Sequence, residues 1–198
     1  MAGKRVLDIL LVCALIPVSL PIVMLAAVAL FLEGGNPFYR QARLGKDGRR
    51  FSIVKLRTMV RDADQRLQDL LARDPELRKE WEETQKLKHD PRVTRVGAIL
   101  RRTSMDELPQ LWNVLTGDMS LVGPRPMMPQ QLPLYREPRA YFALRPGITG
   151  AWQVECRNES SFSERAHYDD AYNRNLSLRE DIKILFRTIG VVLRGTGH

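Results

Sequence analysis

The first run of the chain is almost wholly apolar. Residues 6 to 32 are broken only by Asp8, Ser19 and the prolines Pro17 and Pro21. As one helix this run is roughly 40 Å long at about 1.5 Å per residue, enough for a bilayer core of about 30 Å. The two prolines remove backbone donors near its middle and favour a bend, whose freed carbonyls need a polar partner such as Ser19. Lys4 and Arg5 precede the run, and Arg40, Arg43, Lys46, Arg49 and Arg50 follow it, so both ends prefer the cytoplasmic side. A helix that enters, bends and returns satisfies these constraints. The alternatives are a straight span and a signal peptide ending near Ala27-Val28-Ala29, the latter opposed by the basic cluster beyond it.

After Gly34-Gly35-Asn36-Pro37 the pattern changes to short apolar pieces around Gly45-Lys46-Asp47-Gly48, which predicts two strands and a tight turn within residues 38–59. The period of two puts Lys55 and Arg57 on one face of the second strand, where they can grip a phosphate or meet solvent or lipid. Residues 61–88 are charged and helix-forming. Asp74-Pro75, a cap followed by proline at the first helical position, divides them into two helices with Leu67, Leu70, Leu71, Leu77 and Trp81 as buried stripes. Asp90-Pro91 opens a further element through Val93, Val96 and Leu100. Ser104-Met105-Asp106-Glu107 fits a capping box, with Leu108, Leu111, Trp112 and Leu115 at helical spacing and Gly117 as the stop. The Gly- and Pro-rich pieces 117–126 and 145–150 read as rigid non-helical backbone. Helical spacing returns at 178–194, where Ile182, Leu185, Phe186, Ile189 and Val192 share a side among Arg179, Lys183, Arg187 and Arg194. Such a helix suits a membrane interface or packs on the core.

A chain of 198 residues accommodates one domain with a modest core. Its net charge of +8 and pI near 9.9 imply anionic partners: nucleic acid, acidic headgroups or phosphorylated small molecules. Cys13 lies in the apolar run and Cys156 in a polar segment, which does not read as a disulfide framework and makes a reducing compartment the default. His89, His167 and His198 lack metal-ligand spacing.

The stretch with the most chemistry is Arg101-Arg102-Thr103-Ser104-Met105-Asp106-Glu107. A carboxylate can attack phosphorus while guanidiniums and a metal ion neutralise the charge that would repel it. Capping alone also explains the pair, so its function depends on its surroundings. Arg125, between Pro124 and Pro126, has a restricted backbone of the kind phosphate recognition uses, although prolines around an arginine also make ordinary loops. Asp169 and Asp170 fall in a helix, where the pattern favours solvent over a metal.

Several motifs occur in order: the apolar anchor, Phe38-Tyr39-Arg40-Gln41, Lys55-Leu56-Arg57-Thr58-Met59, residues 100–115, 117–126 and 145–154. Together they resemble the small monotopic phosphoglycosyl transferases, also called bacterial sugar transferases, over nearly the whole chain. Glu155-Cys156-Arg157 after Trp152-Gln153-Val154, and Leu176 before Ser177, depart from the usual family pattern. The resemblance implies an α+β, mostly helical fold: an N-terminal re-entrant membrane helix (1–36), then a catalytic domain (37–198) with a short β-hairpin and amphipathic interfacial helices around a small core. It implies transfer of a sugar 1-phosphate from a UDP-sugar to undecaprenyl phosphate at the cytoplasmic face of the bacterial inner membrane, with galactose or glucose favoured over an amino sugar. By that similarity Asp106 is the nucleophile and Glu107 its partner. Lys55, Arg57, Arg102, Arg125 and Arg145 contact phosphate, and Mg2+ is held by Asp106 and Glu107, with Asp169 nearby. The expected partners are the donor, the lipid acceptor and membrane lipids, with a homodimer left open and nucleic acid not expected. The competing class is a non-catalytic basic protein of the membrane surface, for which no aromatic-and-basic recognition motif is present.

Overall fold

The computed structural model describes residues 2–85, 87–156 and 162–193; Arg157, Arg194 and His198 of the sequence reading lie outside the described residues. Over the described residues the architecture is mostly helical with two small two-stranded sheets. Helix α1 covers Ala2–Leu32 and keeps both Pro17 and Pro21, near which the sequence predicts a bend, inside its helical turns. The Ser19 hydroxyl donates to the Ile16 carbonyl at 3.4 Å, not to a carbonyl freed by either proline. Each proline removes only one donor, and the helix is held from outside at both ends. Near its start Lys4 pairs with the buried Asp181 at 2.7 Å and Arg5 donates to the Leu115 carbonyl at 2.9 Å. The Asp8 carboxylate, the one acid in the apolar run, accepts from the Ser120 hydroxyl at 2.8 Å and the Leu121 N–H at 3.0 Å. At the far end Arg57 donates to the carbonyls of Leu30 and Gly34 at 3.1 and 2.7 Å. Removing one member of a buried pair such as Lys4–Asp181 costs about 3–5 kcal/mol, since the other charge is left uncompensated.

Strands β1 (Phe38–Leu44) and β2 (Arg50–Leu56) form the expected antiparallel hairpin, with Phe38 opposite Leu56 and Leu44 opposite Arg50. Its connection is a short 3-10 turn in which Gly45 N–H reaches the Arg49 carbonyl at 2.7 Å. Helices α2 (Ala63–Arg73) and α3 (Pro75–Thr84) divide where the cap predicts, and Asp74 Oδ1 accepts from the N–H groups of Glu76 and Leu77 at 2.9 and 3.1 Å. Their stripes are shallower than expected. Leu67 is buried, Leu70, Leu71 and Leu77 are half-buried, and Trp81 lies under the Arg92 guanidinium at 5.6 Å.

Helix α4 (Arg95–Arg102) starts later than Asp90-Pro91 suggested. Asp90 is taken by Arg92 at 2.6 Å, and Thr94 Oγ1 caps the helix by accepting from Gly97 N–H at 3.0 Å. The capping box at Ser104 is also absent. Ser104 sits at φ 56° with no side-chain cap bond, Met105–Gln110 forms a 3-10 helix, and α5 (Leu111–Thr116) follows. The Glu107 carboxylate that would have closed the box is drawn instead to Lys55 and Arg125.

Strand β3 (Ser120–Val122) pairs in parallel with β4 (Gly147–Thr149). A Cβ on Gly147 would lie 2.1 Å from the Gly123 nitrogen, so the two glycines let these backbones meet. Between and after them come α6 (Arg139–Ala143), α7 (Ala151–Glu155), α8 (Arg165–Arg174) and α9 (Leu178–Leu193).

Val12 of α1, Ile53, Val114, Val122 and Ile184 share one core cluster, so the apolar helix packs into the body along one side. Its other side stays bare. The helix is long and apolar enough to cross a membrane, and only 11% of its most apolar window is buried. Helix α9 turns the Leu178, Ile182, Phe186 and Ile189 line outward and buries Ile184. Leu185, which the spacing puts on the same side as Ile182 and Phe186, is half-buried. Exposed apolar surface of this extent marks contact with lipid or another apolar partner.

Candidate active site

Asp106 and Glu107 lie on the 3-10 helix between α4 and α5, a turn compatible with Pro109. Strand β2 brings Lys55 across to them: Nζ is 2.6 Å from Glu107 Oε1 and 3.9 Å from Asp106 Oδ2. Asn113 of α5 fixes that strand, accepting from Val54 N–H at 3.2 Å and donating to the Ser52 carbonyl at 2.8 Å. From the other side Arg125 reaches the same Glu107 oxygen at 3.2 Å. Its backbone is locked by β3 and β4: Gly123 N–H bonds the Thr149 carbonyl at 2.9 Å, and Gly147 N–H bonds the Pro124 carbonyl at 2.8 Å.

The two carboxyls differ. Burial pushes Glu107 up, but Lys55 and Arg125, by charge and hydrogen bond, outweigh it and hold Glu107 well below the usual carboxylate range. Asp106 is 9% exposed, and burial with the neighbouring Glu107 charge raises it above 3.8 despite Lys55, Arg101 and Arg125. The arrangement is one firmly ionised acid that anchors two cations, beside a second, more basic carboxylate.

Of the five phosphate-contact candidates, Lys55 and Arg125 lie at the pair. Arg57, Arg102 and Arg145 do not. Arg57 ties down the end of α1, and Arg145, exposed, donates to the Gly117 carbonyl at 2.8 Å. Both guanidiniums are drawn to carbonyls left over at helix ends. Arg102 points outward on a cleft of about 570 Å³ between residues 87–93 and α4. Its neighbour Arg101, which the sequence reading passed over, turns inward, donates to Thr58 Oγ1 at 2.8 Å and bears electrostatically on Asp106. Helical spacing held the signal: Arg101 is four residues after Gly97, whose Cβ would fall 2.1 Å from the Thr58 carbonyl oxygen.

Asp169 is buried, not solvent-facing, and accepts a hydrogen bond from the Tyr135 hydroxyl. Burial raises it to about 7 against the pull of Tyr135 and Arg165. Asp170 is half-exposed and pairs with Arg174. Behind Arg125 stand two further arginines that the sequence reading missed. Arg43 is lowered to about 10 and Arg165 to about 9, by burial and then by the Arg125 charge. Each has a buried Nε without a partner. Arg165 is sandwiched between Trp152 and Phe162 at 4.1 and 4.4 Å. The region holds more cationic charge than its carboxylates balance.

Among the described residues no group of three or more His, Cys, Asp or Glu side chains could hold a metal, so Asp169 does not join the pair. Two adjacent carboxylates still fit Mg2+, which is commonly bound by one or two carboxylates with substrate phosphates and water completing its octahedron. The Cys156 thiol lies 2.6 Å from the Tyr168 hydroxyl, and both Cys13 and Cys156 are free.

The site therefore combines paired carboxylates ringed by cations with a neighbouring helix that has a bare apolar face. Residues 1–195 match the family model described as bacterial sugar transferase, and the chain belongs to that family. It is 46% identical over 195 residues to the UDP-galactose-lipid carrier transferase of Erwinia amylovora, and 44% identical over 195 residues to the undecaprenyl-phosphate galactose phosphotransferase of Salmonella typhimurium. Each alignment covers 98% of this chain and 41% of the relative, so the chain spans about two fifths of their length. The exopolysaccharide production protein ExoY of Sinorhizobium fredii is 42% identical over 197 residues, covering 98% of this chain and 87% of that one.

Proposed function

We propose that the protein transfers a hexose 1-phosphate from a UDP-sugar to undecaprenyl phosphate at the cytoplasmic face of the bacterial inner membrane, beginning a surface polysaccharide. The observation that carries this reading is the division of labour in the carboxylate pair, with Glu107 gripping Lys55 and Arg125 while Asp106 stays more basic. An Asp106 oxygen attacks the sugar-bearing phosphorus, the bond to the bridging oxygen breaks, and UMP leaves with that oxygen. An oxygen of the lipid phosphate then attacks the same phosphorus, the bond to Asp106 breaks, and undecaprenyl-diphospho-sugar departs with Asp106 restored. Lys55, Arg101 and Arg125 are fixed before substrate arrives, so they neutralise developing charge with little reorganisation. Mg2+ held by Asp106 and Glu107 supplies further neutralisation of the phosphates when bound.

Galactose is the favoured sugar, because two relatives above 40% identity carry galactose in their names. The membrane placement is one-sided. Both ends of α1 are tied to the same charged body, which a bilayer-crossing helix would have to hold on two sides at once. UMP release in membranes from UDP-galactose, UDP-glucose and UDP-N-acetyl sugars tests the assignment. The native chain is expected to release UMP fastest from UDP-galactose, and Asp106→Asn to lower release at least about a thousandfold. Equal release by both chains would contradict it.

A further inference from the structure

Among the described residues strand β2 pairs only with β1, so its other edge carries backbone groups that need partners from elsewhere. One side chain takes two of them. The Asn113 carboxamide accepts from Val54 N–H at 3.2 Å and donates to the Ser52 carbonyl at 2.8 Å, pairing with the edge as a peptide unit of a third strand would. Asn113 is 3% exposed, and Ile53, between the two bonded residues, lies in one core cluster with Leu111 and Val114 of α5. Its main chain makes a further tie. The Asn113 carbonyl accepts from Met119 N–H at 3.0 Å, directly before β3, whose chain continues to Arg125. Three segments that carry the charged groups of the site thus meet at one residue: β2 with Lys55, the turn with Asp106 and Glu107 that runs into α5, and the approach to Arg125.

We propose that Asn113 is a positioning residue of the transferase reaction, whose side chain sets where Lys55 stands against Asp106 and Glu107. The assignment rests on the transferase reading above and adds what holds its lysine in place. Lys55 follows Val54 directly, and its Nζ lies 2.6 Å from Glu107 and 3.9 Å from Asp106. A lysine is a point charge on a flexible stem, so its reach depends on the backbone beneath it. Without the Asn113 carboxamide the outer edge of β2 loses both bonds beside Lys55, and the ammonium is no longer fixed before substrate arrives. The loss falls on the reaction step rather than on donor binding, because the negative charge that Lys55 meets grows as the phosphorus is attacked.

The test compares the full native chain in lipid nanodiscs with Asn113→Leu, which keeps the branched shape of the side chain and removes both hydrogen bonds, alone and combined with Lys55→Met. Asn113→Leu is expected to lower kcat for UMP release about thirtyfold while the KM for the UDP-sugar stays within about threefold. With Lys55→Met already present it should lower kcat less than about threefold further, because the lysine through which it acts is gone. A residue that only supports the fold would lower kcat by the same factor in both backgrounds. That result, or a raised KM with kcat unchanged, would overturn the assignment. Should Asn113→Leu fail to fold, Asn113→Asp, which keeps the acceptor for Val54 and loses the donor to Ser52, enters the same comparison, with a loss of kcat expected that Lys55→Met again removes. Acetylation of Lys55 by acetic anhydride, followed by peptide mass spectrometry, reads its position without turnover. The rate should rise at least about fivefold in the Asn113 variant, and an unchanged rate would equally overturn the assignment. Absence of UMP release by the native chain with every UDP-sugar sinks the transferase reading, while the acetylation still decides what holds Lys55.

Discussion

Asp106 and Glu107 share a turn, a charge and two cations, yet their environments separate them, because both short contacts from Lys55 and Arg125 fall on Glu107 Oε1. The more basic member is the better nucleophile, and the anchored member keeps the cations aimed. A second carboxyl shows what burial does without such anchoring. Asp169 sits near 7 in the fold, against 3.8 for an ordinary aspartate, because burial outweighs Tyr135 and Arg165. Between about pH 4 and 7 the folded protein keeps this proton while the unfolded chain releases it, so the residue costs stability as pH rises through that window and costs nothing below it. The difference corresponds to about 4 kcal/mol at pH 8. Asp169→Asn should therefore gain on the native chain as pH rises from 4.5 to 8, by up to about that amount, in denaturant unfolding followed by tryptophan fluorescence. Parallel stability curves would show that Asp169 is not held neutral.

At the scale of elements, the hairpin register and the α2–α3 division were legible because local signals decide them: a Gly-rich turn between alternating strands, and an aspartate before a proline. The orientation of α9 and the choice of Arg101 over Arg102 were not. They depend on pairings far apart in the chain, such as Lys4 with Asp181 and Gly97 with Thr58, which no local period encodes. Of the proposed site residues, Asp106, Glu107, Lys55 and Arg125 converge. Arg57 and Arg145 looked equivalent in sequence, but helix-end carbonyls took them. The α4–β2 junction can be tested at Gly97. A Cβ there would meet the Thr58 carbonyl oxygen at 2.1 Å, so Gly97→Ala must move α4 and carry Arg101 with it. The variant should lose about 3 kcal/mol of stability and most of its UMP release. Gly3→Ala, whose Cβ would sit 3.5 Å from Leu178 Cδ1, is the control and should stay within about 0.5 kcal/mol of the native chain. Equal stability of the two variants would mean that the close approach of α4 to Thr58 is not needed.

At the scale of the whole molecule, α1 is at once a wall of the core and an apolar surface, tied to one charged body at both ends. The proposed one-sided placement predicts that single cysteines at Ala2 and Glu33, in a chain with Cys13 and Cys156 replaced by serine, are labelled from the same side of sealed membrane vesicles. Labelling from opposite sides would establish a crossing helix. The turn that carries Asp106 packs on both α1 and β2, and the proposed chemistry turns on a covalent sugar-phosphate on that carboxylate. The most direct measurement is intact-protein and peptide mass spectrometry after mixing the purified chain with UDP-galactose and Mg2+ in the absence of lipid acceptor. The expected result is a mass gain of one hexose phosphate on the peptide containing Asp106, lost on adding undecaprenyl phosphate and absent in Asp106→Asn. UMP release with no adduct on that peptide, or an adduct that persists in Asp106→Asn, would contradict it.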